Sequence, residues 1–194
     1  MAIQFAYQVH AASSETSVFW VRGSTKATFE ESYRSIADVL LLPRRHELSV
    51  NITALVRDWL QREDTGAWLM IVDNVDNVAM LFSEDGIGIS DSTPMPIASY
   101  LPKSNHGKIL FTSRSQDAAE RLTGSGKTIL VVPTIDKDQA LLLLQNKLDR
   151  GMNKAAVLRL INTFDYIPLA INQVVVYIYK RSPRVTINSY LGEF

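Results

Sequence analysis

Four short runs of β-forming residues punctuate this chain, and each is too apolar to face water. They are Val18-Phe19-Trp20-Val21, Trp68-Leu69-Met70-Ile71-Val72, Lys108-Ile109-Leu110-Phe111-Thr112 and Thr128-Ile129-Leu130-Val131-Val132. A continuous apolar run of this length suits a strand covered on both faces, whereas a half-exposed strand alternates polar and apolar residues. Amphipathic helical patterns lie between the runs. Strands alternating with helices imply a parallel sheet with covered faces, an α/β fold.

The helices have readable limits. Residues 1–10 form an amphipathic pattern with Ile3, Ala6, Tyr7 and His10 on one face, widened by Phe5 and Val9. Thr28-Phe29-Glu30-Glu31 has the spacing of a capping box. It opens a helix whose apolar positions are Phe29, Tyr33, Ile36, Ala37 and Leu40, with Pro43 beyond its end. A second helix carries Ile52, Leu55, Val56, Trp59 and Leu60, and Thr65-Gly66 closes it. Residues 83–96 are rich in Ser, Gly, Asp and Pro and read as a long surface loop. Residues 117–122 form a short helix. Pro133 stops the fourth run.

From Asp136 onward the chain reads as helical. Asp136 with Gln139 caps one helix that runs through Leu148. Ala156, Val157, Leu160, Ile161 and Phe164 mark the next. Pro168, suited to a first helical turn, opens a third through Leu169, Ala170, Gln173, Val174, Tyr177 and Ile178. Residues 186–194 suggest another. The expected organisation is therefore an α/β domain over residues 1–134 and a small helical subdomain over residues 135–194.

Composition removes several classes of function. The 194 residues include no cysteine, which excludes disulfides, thiolate catalysis and cysteine-ligated zinc. Twenty basic and twenty acidic residues cancel, so no basic footprint points to nucleic acid or to a polybasic membrane segment. No apolar run approaches the about 18 residues that suggest a membrane span. The first ten residues lack the basic and apolar regions of a signal peptide. His10, His46 and His106 are isolated, and no metal-ligand spacing or Ser-His-Asp pattern is present. Trp20, Trp59 and Trp68 read most simply as core anchors.

In parallel α/β sheets, ligands sit outside the carboxyl ends of the strands. Asp73-Asn74 follows the second strand. A carboxylate there suits Mg²⁺ beside nucleotide phosphates, as in a Walker B motif, and equally suits the start of a turn with Asp76 and Asn77. Thr112-Ser113-Arg114 ends the third strand. Its guanidinium can read a terminal phosphate or pair with a neighbouring acid in solvent. Gly124-Ser125-Gly126-Lys127-Thr128 copies the tail of a phosphate-binding loop, but Arg121 stands where the first glycine belongs. A helix precedes it and a strand run follows, the reverse of the required order, so it reads as a turn.

Three stretches in order carry a resemblance: Leu69-Met70-Ile71-Val72-Asp73-Asn74, Lys108-Ile109-Leu110-Phe111-Thr112-Ser113-Arg114 and Ile167-Pro168-Leu169-Ala170. The series resembles the NB-ARC family of signal-transduction ATPases, which includes plant disease-resistance receptors, the animal apoptosome scaffold and fungal NOD-like receptors. Val18-Phe19-Trp20-Val21 followed by Ser24-Thr25 looks most like the fungal group. The resemblance implies a parallel sheet of the P-loop NTPase type followed by a small helical domain, with ADP or ATP and Mg²⁺ between them. ADP holds the off state, and exchange for ATP permits oligomerisation. It assigns Asp73 to Mg²⁺, Arg114 to sensing the terminal phosphate and Pro168 to packing against adenine, with Thr112 and Ser113 supporting the phosphate-facing strand end.

Two residues depart from the pattern. Asn74 stands where a second acid is common, and an amide cannot take up a proton at neutral pH. Little or no hydrolysis is therefore expected. Tyr166 stands where the proline motif usually begins with glycine. The resemblance further implies a chain that starts after the phosphate-binding loop, lacks an internal strand beside the third one, and ends before a winged helix. Weak or no nucleotide binding by this piece alone follows as an expectation. Its expected partners are nucleotide, the other domains of a parent cytoplasmic receptor and further copies of itself, with no nucleic acid and no membrane. The alternative is a non-enzymatic interaction module that pairs with related NB-ARC proteins.

Overall fold

The computed structural model describes residues 1–82, 96–145 and 153–192. They divide into two compact units, Met1–Ile129 and Leu130–Phe194. The order in the first unit is α1 (Ala2–Ala12), β1 (Ser17–Arg22), α2 (Lys26–Val39), α3 (Ile52–Leu60), β2 (Trp68–Asp73), α4 (Val78–Phe82), β3 (Gly107–Phe111) and α5 (Gln116–Thr123). The second unit holds α6 (Lys137–Gln145), α7 (Lys154–Thr163), α8 (Pro168–Arg181) and α9 (Ile187–Leu191). The expected loop over residues 83–96 lies outside the described residues except for Pro96, as does the end of the helix expected to reach Leu148.

The sheet is parallel with order β1-β2-β3. Ser17 pairs with Trp68 and Arg22 with Asp73, while Trp68 pairs with Gly107 and Val72 with Phe111. Only the central strand is fully buried, from Trp68 at 2% exposure to Val72 at 1%. In β1, Phe19 and Val21 are buried but Trp20 is 37% exposed. The expectation that β1 is covered on both faces, with Trp20 a core anchor, is thus corrected: a strand with one neighbour has less to pack against. In β3, Ile109, Leu110 and Phe111 are half-buried for the same reason.

The fourth apolar run is not a strand. Gly126–Thr128 forms a 3-10 turn, closed by the Ile129 N–H on Gly126 O at 3.3 Å. Ile129 has extended dihedrals, but Leu130 and Val131 are each 80% exposed. A strand is a paired object, and high β propensity without a ladder partner does not make one. β2 and β3 hydrogen-bond directly to each other, with no strand between them.

Core packing in the first unit depends on long-range fits. Phe29, Tyr33, Ile36 and Ala37 of α2 are buried, as are Ile52, Val56 and Leu60 of α3. The Tyr33 ring stacks on Phe29 at 4.5 Å, and its hydroxyl donates to Tyr100 O at 2.9 Å. Burial pushes the Tyr33 phenol well above its usual range, so it stays protonated. The Trp68 indole lies over Gly107, where an added Cβ would sit 2.0 Å from the ring. Its Nε1–H donates to Leu60 O at 2.9 Å.

Two helix readings shift. The capping box of α2 is Thr25 with Thr28, and Thr28 is the third helical residue rather than the cap. The spacing around Thr28 and Glu31 imitates the motif one turn late. Helix α1 buries no residue: Ala2, Ala6 and Val9 are half-buried, while Ile3 is 60%, Phe5 45% and Tyr7 69% exposed.

The second unit packs helix stripes together. Ala140, Leu144, Ala156, Val157, Leu160, Ile161, Ile171, Val174, Val175, Ile178 and Ile187 form its core. In α8 the buried stripe is Ile171, Val174, Val175 and Ile178, so the expected positions Leu169, Gln173 and Tyr177 face outward. The caps follow the sequence. The Asp136 carboxylate accepts from Gln139 N at 2.8 Å while Gln139 Oε1 accepts from Asp136 N at 3.1 Å.

Candidate functional site

The carboxyl ends of the strands gather four of the five residues singled out in the sequence. Continuing the β2–β3 register one step past Val72 and Phe111 sets Asp73 beside Thr112. The Thr112 hydroxyl donates to Asp73 Oδ1 at 2.5 Å and accepts from Asn74 N at 2.9 Å. The two strand ends are joined again where Val75 N–H donates to Thr112 O at 2.9 Å. Asn74 has φ 61, a left-handed turn that asparagine tolerates better than most residues. That turn takes the chain off β2 directly after Asp73. Gly23 after β1 donates its N–H to Asp73 O at 2.7 Å, and a Cβ on it would lie 2.9 Å from Val75. Glycine permits this approach of the β1 end to the Asp73 backbone.

Ser113 and Arg114 face the turn after β2. The Ser113 hydroxyl donates to Val75 O at 2.8 Å and lies 3.1 Å from Asp76 Oδ1. The Arg114 backbone N–H donates to Asp76 Oδ1 at 2.7 Å. Its side chain turns to the same carboxylate, with Nε and Nη2 each 2.7 Å from Oδ2. The hydrogen bond from the Arg114 backbone holds the Asp76 carboxyl below the usual range, helped by the Arg114 side chain and Ser113 and opposed by partial burial. Of the two readings open for Arg114, the structure places it on a neighbouring acid. Sequence reasoning took Asp76 only as a turn former. Its spacing of three from Asp73, just past the strand, was the available signal.

Pro168 belongs to the second unit, where it is the first residue of α8. It is exposed between Ile167 at 47% and Leu169 at 65%. Tyr166, standing where the resemblance has glycine, has φ 57, and its hydroxyl donates to Asn162 Oδ1 at 2.6 Å. The backbone takes the glycine-like conformation despite a side chain. Gly124-Ser125-Gly126-Lys127-Thr128 is a helix end and a turn, with Gly124 closing α5 in the left-handed region at φ 67.

The donor set fits one kind of metal. Among the described residues, no group of three or more His, Asp or Glu converges. Asp73 alone cannot cage a cation. Mg²⁺ that keeps most of its water and takes further oxygens from a bound phosphate needs only one or two carboxylates, and Asp73 Oδ2 remains for that. A wide polar hollow of about 670 Å³, lined by Gln61, Glu63, Lys103, Ser104 and His106, lies where β2 and β3 begin. It is shallow and open, and it is built from loop polar groups at the end of the strands away from Asp73. The strand tips carry the more specific chemistry. No helix among the described residues is long and apolar enough to cross a membrane.

No family model matches the chain. It is 29% identical over 197 aligned positions to a "Nucleotide-binding leucine-rich repeat (NLR)-like protein" of the fungus Hyaloscypha variabilis, which covers 98% of this chain but 19% of the relative. The chain therefore spans about a fifth of that protein's length. The parallel α/β sheet, the helical region after it and this similarity make the chain a distant relative of a fungal NLR-like protein.

Proposed function

We propose that this chain is part of an NB-ARC-type signalling switch that responds to ADP and ATP with Mg²⁺ in the cytoplasm. The observation that carries the reading is the junction of Asp73 with Thr112 at the carboxyl ends of β2 and β3. It fixes a carboxylate against Thr112, which stands two residues before Arg114, at the end of a parallel sheet where ligands bind. Asp73 would hold hydrated Mg²⁺, Thr112 and Ser113 would keep the strand ends in register, and Arg114 would meet the terminal phosphate. Exposed Pro168 would lie against adenine. Asn74 offers no base to activate water, so the reading is a switch with little or no hydrolysis. The other domains of a parent receptor and further copies of the chain would be its partners.

The test is calorimetric titration of Mg-ADP into the chain, with a thermal melt to establish folding. Weak binding that Asp73→Asn abolishes, and that Arg114→Gln leaves in place because a diphosphate lacks the terminal phosphate, is the expected result. Binding unchanged by Asp73→Asn would overturn the assignment. A cooperatively melting chain with no binding would favour the second reading, an interaction module without enzymatic function. Ile3, Phe5 and Tyr7 on α1 support that alternative, because exposed apolar side chains gathered on one short helix suit a protein partner. Self-association that ignores nucleotide would be its signature.

A further inference from the structure

Three nitrogens of Arg114 converge on one carboxylate. The backbone N–H takes Asp76 Oδ1, while Nε and Nη2 share Oδ2, all at 2.7 Å. The two partners are held very differently. The Asp76 side chain is 24% exposed and also receives the Ser113 hydroxyl, whereas the Arg114 side chain is 87% exposed. The carboxylate is the fixed member. The guanidinium is tied down by little besides that carboxylate and can swing away without disturbing any core contact.

We propose that Asp76 is an internal stand-in for a phosphate, holding Arg114 closed until the terminal phosphate of a nucleoside triphosphate competes it away. This rests on the nucleotide reading above and adds to it a residue that sets the preference between triphosphate and diphosphate. The competition is chemically even-handed in kind: Oδ2 offers one anionic oxygen to two N–H donors, and a terminal phosphate offers several oxygens and more charge. A nucleotide that lacks the terminal phosphate leaves the pair closed. Opening breaks only the side-chain contacts. The Arg114 backbone bond to Oδ1 keeps the two strand-end loops joined, so the arginine moves on a fixed base. Asp76 therefore acts through Arg114 as a positioning residue.

Asp76→Asn separates the two roles. The amide oxygen still accepts the Arg114 backbone N–H, but the amide NH₂ cannot accept from the guanidinium. Affinities of the chain for Mg-ATP and Mg-ADP are compared with those of D76N, R114Q and the double variant. Exposed ion pairs are weak, so D76N should raise the ATP-to-ADP affinity ratio by about two- to fivefold. The gain should vanish in the double variant. A ratio that is unchanged or lower in D76N, or a gain that survives R114Q, overturns the proposal. If no variant binds either nucleotide, the nucleotide reading fails separately. The Asp76 pairing is then judged from the Arg114 Nε–H resonance during titration with inorganic tripolyphosphate. A response at lower concentration in D76N than in the unaltered chain supports it, and equal response rules it out. Should D76N not melt cooperatively, displacement of that resonance in the unaltered chain supports the pairing as a competitor, and its indifference to tripolyphosphate overturns it.

Discussion

The two units reach their packing by different routes. In the first, residues far apart in sequence must meet in one way: Trp68 over Gly107, Tyr33 against Tyr100, Asp73 beside Thr112. In the second, apolar stripes on helices close in sequence meet, α6 on α7 and α8 and α7 on α9, and the ends are closed by local caps at Asp136, Asn153 and Thr186. Non-local parallel pairing must overcome loop-closure entropy before it is rewarded, whereas helix stripes gain from neighbours in sequence. The difference teaches where chemistry can be placed. A site that needs three side chains held to fractions of an ångström fits the unit whose contacts are singular. A stripe can rotate or exchange residues and still pack.

This contrast can be broken by substitution. The largest effect is expected from Leu160→Ala, because Leu160 has no exposure and sits in the core of the second unit. It should cost about 3–4 kcal/mol in denaturant unfolding. If the units are energetically separate, near-ultraviolet signals from Trp20, Trp59 and Trp68 should persist while the helical unit melts, since every tryptophan lies in the first unit. Simultaneous loss would show that the units melt as one.

Gly107→Ala should follow at about 2–3 kcal/mol, because the new methyl meets the Trp68 ring at 2.0 Å and that ring is fixed by Leu60. A Gly107→Ala chain as stable as the original would remove the claim that contacts in the first unit are singular.

The smallest effect concerns pH. The Asp76 carboxyl is held below its usual range in the fold. Its stabilising contribution is therefore complete above the unfolded value of about 3.9 and is lost as pH falls through the lower folded value. The Arg114 partner is solvent-screened, so the contribution should be under about 1 kcal/mol. Stability of D76N should lack this acid-side decline, which denaturant unfolding between pH 5 and pH 2 would register.

The parts of the molecule legible in the sequence were those governed by local pattern. The central strand and Asp73 at its end stood out because full burial leaves an unbroken apolar run. The caps at Asp136 and the opening of α8 at Pro168 were equally plain. Neighbour-dependent features were not. Trp20 and the fourth run look like buried strand from within, and only the absence of a second or first ladder partner among the described residues exposes them. The Thr25–Thr28 cap uses two hydroxyls in place of the usual acid, so the Thr28–Glu31 spacing masked it. In the candidate site, Thr112, Ser113 and Arg114 could be placed at a strand tip, but the capture of Arg114 by Asp76 depends on the loop after β2 folding back across the sheet end.

The contact of Trp68 with Gly107 has a meaning for the far end of the same strand pair. A ruler needs two marks to be read, and β2 against β3 has them: an indole that tolerates only glycine at one end, and a hydroxyl that seeks a carboxylate at the other. They lie five residues apart, about 17 Å along the strand. A slip of one residue would press the indole against Lys108 and turn Asp73 away from Thr112 together. Placement of the carboxylate is thus proofread by an aromatic ring that never approaches it, and Gly107 is a residue whose loss would be felt as misalignment at a distance.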